Sequence, residues 1–130
     1  MPEPRACRSP RFAMSEYADL IVHWLTHGDG GRSSPVHVRG RGGSYKPHLR
    51  LHAEGEFLGV AFLDGEPPIV EPGGDGSAIV ALIYEGNGVD YSALTPGVEF
   101  VVVEGLRVVG RGTVVRRWAA DDDWRSRQGS

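Results

Sequence analysis

Six short apolar runs, each stopped by a cluster of Gly, Pro, Asp or Ser, set the strongest limit on what this chain can become. They lie at residues 18–26, 47–53, 57–63, 78–84, 98–104 and 107–118. No window of useful length has apolar residues returning at three- and four-residue spacing, the pattern by which a helix buries one face. Short runs with turn residues between them predict strands instead. Glycine, at 19 of 130 residues, is about twice as frequent as usual, which favours turns and sharply coiled strands. The expected fold is all-β, a closed six-stranded antiparallel barrel in a single domain.

The alternation within the runs assigns faces. In 18–26, Leu20, Val22 and Trp24 point one way and Ile21, His23 and Leu25 the other, so this strand is expected to be covered on both sides. In 47–53, Leu49 and Leu51 face the core while His48, Arg50 and His52 form a polar outer face. Gly110 and Gly112 share one face of the last run, where a missing side chain permits tight coiling or the close approach of another backbone. Residues 1–14 are Pro- and Arg-rich without apolar periodicity and read as a disordered leader, with Met14 as plausible a start as Met1. Residues 119–130 read as a solvated tail, which leaves 15–118 as the domain.

Charge is segregated along the chain. Residues 30–52 hold Arg32, Arg39, Arg41, Lys46 and Arg50 and no acid, residues 53–104 hold ten acids and no Lys or Arg, and residues 105–118 hold Arg107, Arg111, Arg116 and Arg117 without an acid. A fold that sets 30–52 beside 105–118 would carry a basic face of about nine charges although the formal net charge is −3 and the pI near 5.9. The alternative is that these charges are the solvated outer faces of strands and loops. Cys7 is the single cysteine, so a disulfide framework and a Cys-based zinc site are both excluded and a reducing, cytoplasmic setting is expected. No apolar stretch approaches the roughly 18 residues of a membrane helix, and residues 1–14 lack the apolar core of a signal peptide.

Five motifs then occur in a fixed order: Gly30-Gly31-Arg32-Ser33-Ser34-Pro35, Tyr45-Lys46-Pro47-His48, Glu71-Pro72-Gly73-Gly74-Asp75, Leu82-Ile83-Tyr84, and Glu104-Gly105-Leu106-Arg107-Val108-Val109-Gly110-Arg111-Gly112. In order and approximate spacing they resemble the third, C-terminal domain of elongation factor Tu, over roughly residues 18–118. The closing motif is the most specific, since that family has a hairpin reading Glu-Gly-Gly-Arg-Thr-Val-Gly-Ala-Gly. The resemblance implies a six-stranded antiparallel barrel. It also implies contact with the T-stem backbone of aminoacyl-tRNA, made in the family together with the other domains, and docking against the GTPase domain and the nucleotide-exchange factor. Arg32, His48 (Gln in the family) and Gly105 stand at RNA-facing positions of the family. His48 and Leu106 are departures from the pattern, which bears on tRNA specificity more than on backbone contact.

Nothing in the chain builds a phosphate loop, because the lone lysine, Lys46, lies between Tyr45 and Pro47, so the chain is expected neither to bind nor to hydrolyse GTP. His23 and His27 would stand about 13 Å apart on a strand, too far for one zinc ion. Ser33, Ser34 and Ser44 lack a nucleophile elbow, and no acid in 30–52 orients a histidine. Asp121, Asp122 and Asp123 lack metal-loop spacing. The chain therefore reads as a non-enzyme without cofactor or metal. Two function classes stay open. One is an RNA-binding module that neutralises phosphates of structured, tRNA-like RNA with Arg32, Arg39, Arg41, Lys46, His48, Arg50, Arg107 and Arg111 and with the Gly105 backbone. The other is a protein-interaction module, unrelated to translation, that docks a protein partner through its acidic flank or an apolar patch.

Overall fold

A computed structural model describes residues 14–39, 45–52 and 55–121. Its strands are β1 (Met14–Trp24), β2 (Val36–His37), β3 (His48–Arg50), β4 (Leu58–Glu66), β5 (Ile69–Val70), β6 (Asp75–Leu82), β7 (Glu99–Glu104) and β8 (Arg107–Asp121). The six strands β1, β6, β4, β3, β7 and β8 pair in that order, and β8 returns to β1, so the antiparallel sheet forms a ring. Each of the six apolar runs supplies one strand of it. The short pair β2 and β5 lies outside the ring and has no counterpart among the runs, since two residues are too few to show an alternation.

Inward-facing residues of alternate positions fill the ring. Leu20, Val22 and Trp24 of β1 meet Leu49, Val60, Phe62, Val80 and Val102, all buried. Trp24 and Phe62 pack with ring centroids 5.8 Å apart. Burying such a side chain stabilises by about 1.5–3 kcal/mol relative to exposure. Where β1 begins, the loop 83–98 seals the ring with Tyr91 and Leu94. The Tyr91 hydroxyl donates to Gly59 O (2.6 Å) and accepts from the Tyr84 N–H (3.1 Å), so its burial leaves no polar atom orphaned. Register shifts at Asp19/Leu20, Phe62/Asp64 and Val102/Val103 mark bulges, which add twist and help the sheet curl.

Gly112 explains how closely two strands approach. A Cβ there would lie 2.1 Å from Ile21 O and 2.9 Å from the Phe100 ring, and at Gly110 3.1 Å from His23 O.

Two expectations change. The outer face of β1 is covered only near its start, where Tyr17 stacks on Trp118 (4.7 Å) among Ala61, Leu63, Ile79 and Ile83. Farther along, Ile21 is 56% exposed, because the ring has one interior and nothing among the described residues packs over this stretch. The boundaries also move outward. β1 begins at Met14 and β8 continues through Asp121, and these two residues are register partners. Main-chain pairing needs no apolar alternation, so it carries the strands past the last periodic residue. The rest of the leader and tail, Trp124 included, lies outside the described residues.

Candidate nucleic-acid interface

The loop that leaves β1 turns back on itself through glycine. After a single 3-10 turn at His27–Asp29, Gly30 adopts a left-handed conformation (φ 97°) and donates to His27 O. A Cβ on Gly31 would fall 2.2 Å from Leu25 O, so only glycine lets the chain fold this tightly. The loop thereby delivers Arg32 to the β7–β8 hairpin. Arg32 Nη1 donates to Glu104 Oε2 (2.5 Å), and the rest of the guanidinium holds Ser34 O, Ser34 Oγ and Pro35 O. The hydroxyl of Tyr45 donates to the same Glu104 oxygen at 2.5 Å, and the Arg32 guanidinium lies 5.4 Å from the Tyr45 ring centre.

This knot shifts both titrations. Partial burial alone would lower the Arg32 pKa, but the hydrogen bond and charge of Glu104 outweigh it and the value rises. Burial raises that of Tyr45, and Glu104 adds to the shift. Both groups stay protonated at neutral pH.

Around this knot the structure gathers much of the expected set. The hairpin turns at Gly105, whose φ of +64° suits glycine and around which a Cβ would meet nothing within 4 Å. Arg107 reaches back to Gly31 O (3.4 Å). Lys46 is exposed beside Tyr45. His48 and Arg50 stand on the outer face of β3, opposite Val103 and Val101 of β7, as the alternation predicts. Arg50 donates to Gly55 O (2.9 Å) and lies 4.3 Å from the centre of the Phe57 ring, which His48 meets edge-on. Arg111 is the partner of Val101 on the next strand, so Arg50, Val101 and Arg111 form one row across the sheet.

Other members do not join. Arg39 is taken by Asp64 (2.5 Å) and Glu66 (2.8 Å), and Arg41 lies outside the described residues. Arg116 and Arg117 pair with Asp19 and Glu16. A face of about nine free cations is therefore not what the fold presents. Among the described residues, Lys46, Arg50, Arg107 and Arg111 have no carboxylate partner, and Arg32 shares its charge with Glu104.

Glu104 is the residue that sequence reasoning passed over. It counts as one of ten acids in its segment, yet it joins two basic segments. The one signal was its place at the head of the closing motif. No family model matches the chain, and neither does any curated protein sequence.

Proposed function

We propose that the ring is a closed barrel of the elongation factor Tu third-domain type, acting as a non-catalytic, cytoplasmic binding module that takes structured RNA by its phosphate backbone. The observation that carries this reading is the Arg32–Glu104 pair, which joins the loop 30–35 to the hairpin at Gly105, close to Arg107 and, through Tyr45, to the start of the segment that bears Lys46, His48 and Arg50. Cations without carboxylate partners on rigid strands and tight turns suit phosphates at fixed spacing and read no base edges.

Because several cations are internally paired, about three to six phosphate contacts are expected, each adding nearly one unit to the slope of log affinity against log salt. A titration with tRNA at low and at physiological salt tests this. Binding at low salt that nearly vanishes at physiological salt, and that weakens alike for all RNA sequences in Arg32→Ala, supports the reading. No binding at low salt overturns it.

A second reading, a protein-docking module, is favoured by Ile21 and Val115, both half exposed on the outer face. They line a cavity of about 420 Å³ that also holds Asp19, Asp64 and Glu66. Arg39 lines it too, bound to Asp64 and Glu66, and Asp19 holds Arg116, so its carboxylates are paired and a partner would meet it mainly through the apolar Ile21 and Val115.

A further inference from the structure

Beside the cationic end of the ring runs a groove that phosphate contact leaves unexplained. Its floor is Val101 and Val103 of β7, and its walls are Phe57, Leu106 and Val108. Leu106 is 91% exposed at the tip of the hairpin, and Phe57 is 39% exposed. A leucine held in water at a tight turn contributes nothing to the core. Its neighbours turn the same way: Val103 and Val108 are register partners, and Val103 also faces His48. The cavity measures about 160 Å³, room for one planar heterocycle and too little for a base pair.

The polar lining holds one cation and one imidazole. Arg50 and His52 complete the groove, no carboxylate among the described residues lines it, and the Arg50 guanidinium lies 4.3 Å from the centre of the Phe57 ring. An aromatic ring paired with a guanidinium stacks on the π-face of any base, while the same cation faces the phosphate that accompanies it. An apolar peptide side chain would use the valines and the leucine and leave Arg50 without a role. An anionic ligand with a flat aromatic part uses both.

We infer that this groove is a nucleobase slot, which takes one unpaired base from a single-stranded extension of an RNA held by its backbone at the Arg32–Glu104 end. The slot rests on the RNA-binding reading for its biological ligand, and it adds Phe57, His52, Leu106 and Val108 to the residues that meet RNA. Recognition is by stacking and tolerates any base. Loss of one stacked base weakens binding by about tenfold.

The test uses the full chain and three probes at low salt. Adenosine monophosphate, followed by NMR, should shift the ring signals of Phe57 and the methyl signals of Leu106 and Val108. A blunt RNA hairpin and the same hairpin with a short single-stranded overhang should differ about tenfold in affinity, the overhang binding tighter. Leu106→Ser, at an exposed position, should abolish that difference and leave the blunt hairpin unchanged, and Phe57→Leu should abolish the difference as well. If the blunt hairpin binds but adenosine monophosphate shifts none of these signals and the overhang adds nothing, the slot is wrong and the backbone reading survives. If the nucleotide shifts them but the blunt hairpin does not bind, the slot stands and the backbone reading fails. Shifts at these residues that grow with protein concentration without nucleotide would assign the groove to a second copy of the chain and overturn the slot.

Discussion

Glu104 Oε2 lies 2.5 Å from Arg32 Nη1, across 72 positions of sequence, and the side chains of this pair are about one-quarter exposed. The pair is a structural joint first, because it ties a glycine-built loop to the last hairpin. It also holds one of the cations that a phosphate would need.

The two roles separate in Glu104→Gln. Removing the carboxylate charge should destabilise the fold by about 1–2 kcal/mol, since Arg32 and Tyr45 lose a charged acceptor in a half-dry setting. Affinity for RNA should rise by severalfold in the same variant, because Arg32 no longer shares its charge. Urea unfolding and a tRNA titration measure the two changes, and a fall in both would remove Arg32 from the phosphate contacts.

Tyr45 ties stability to alkaline pH. Its folded pKa is raised above the ordinary 10.0 by burial and then by Glu104, so the folded state keeps a proton that the unfolded chain releases. The native state thus binds more protons, and stability falls as pH rises past about 10, by up to about 1.4 kcal/mol per unit. Tyr45→Phe should flatten that decline without abolishing it, because Tyr91 is also raised by burial. Chemical unfolding between neutral pH and pH 11 follows the effect.

Gly112 and Gly86 distinguish crowding from backbone conformation. Gly112→Ala drives a Cβ to within 2.1 Å of a backbone oxygen on β1 and should cost about 3 kcal/mol or more. At Gly86, φ is +85° with open space around it, so Gly86→Ala should cost about 1–2 kcal/mol through backbone strain alone. Thermal unfolding of the two variants ranks them.

Tyr91→Phe removes one oxygen and leaves the Tyr84 N–H without its partner, while Gly59 O keeps only the longer bond from the Ile83 N–H (3.3 Å). Two polar groups lose a hydrogen bond while the packing is unchanged, so the expected cost is about 1–3 kcal/mol. Hydrogen exchange at the Tyr84 amide should speed up in the variant.

The strands were legible because apolar alternation is a local property. Leu49 against His48 and Arg50 is enough to orient β3, and Glu104-Gly105 is enough to place the last hairpin. What the charge segments concealed is pairing at long range. Arg39 finds Asp64 and Glu66, and Arg117 finds Glu16, only once the ring brings them together, so a run of like charges in the chain did not become an equal face in space. Tyr17 hid for the same reason, since its cover, Trp118, lies at the far end of the domain.

β1 is paired along most of its length to β8 on one side and to β6 on the other. A ribosome delivers β1 first of all the strands and β8 last. Through synthesis, the edge of β1 that will take β8 therefore has no native partner, and the most sequence-distant pairing in the ring is made last. Such a topology folds slowly for its size and exposes a sticky edge meanwhile. Glu16 and Asp19 of β1 likewise wait for Arg117 and Arg116, which reach them only when β8 closes the ring.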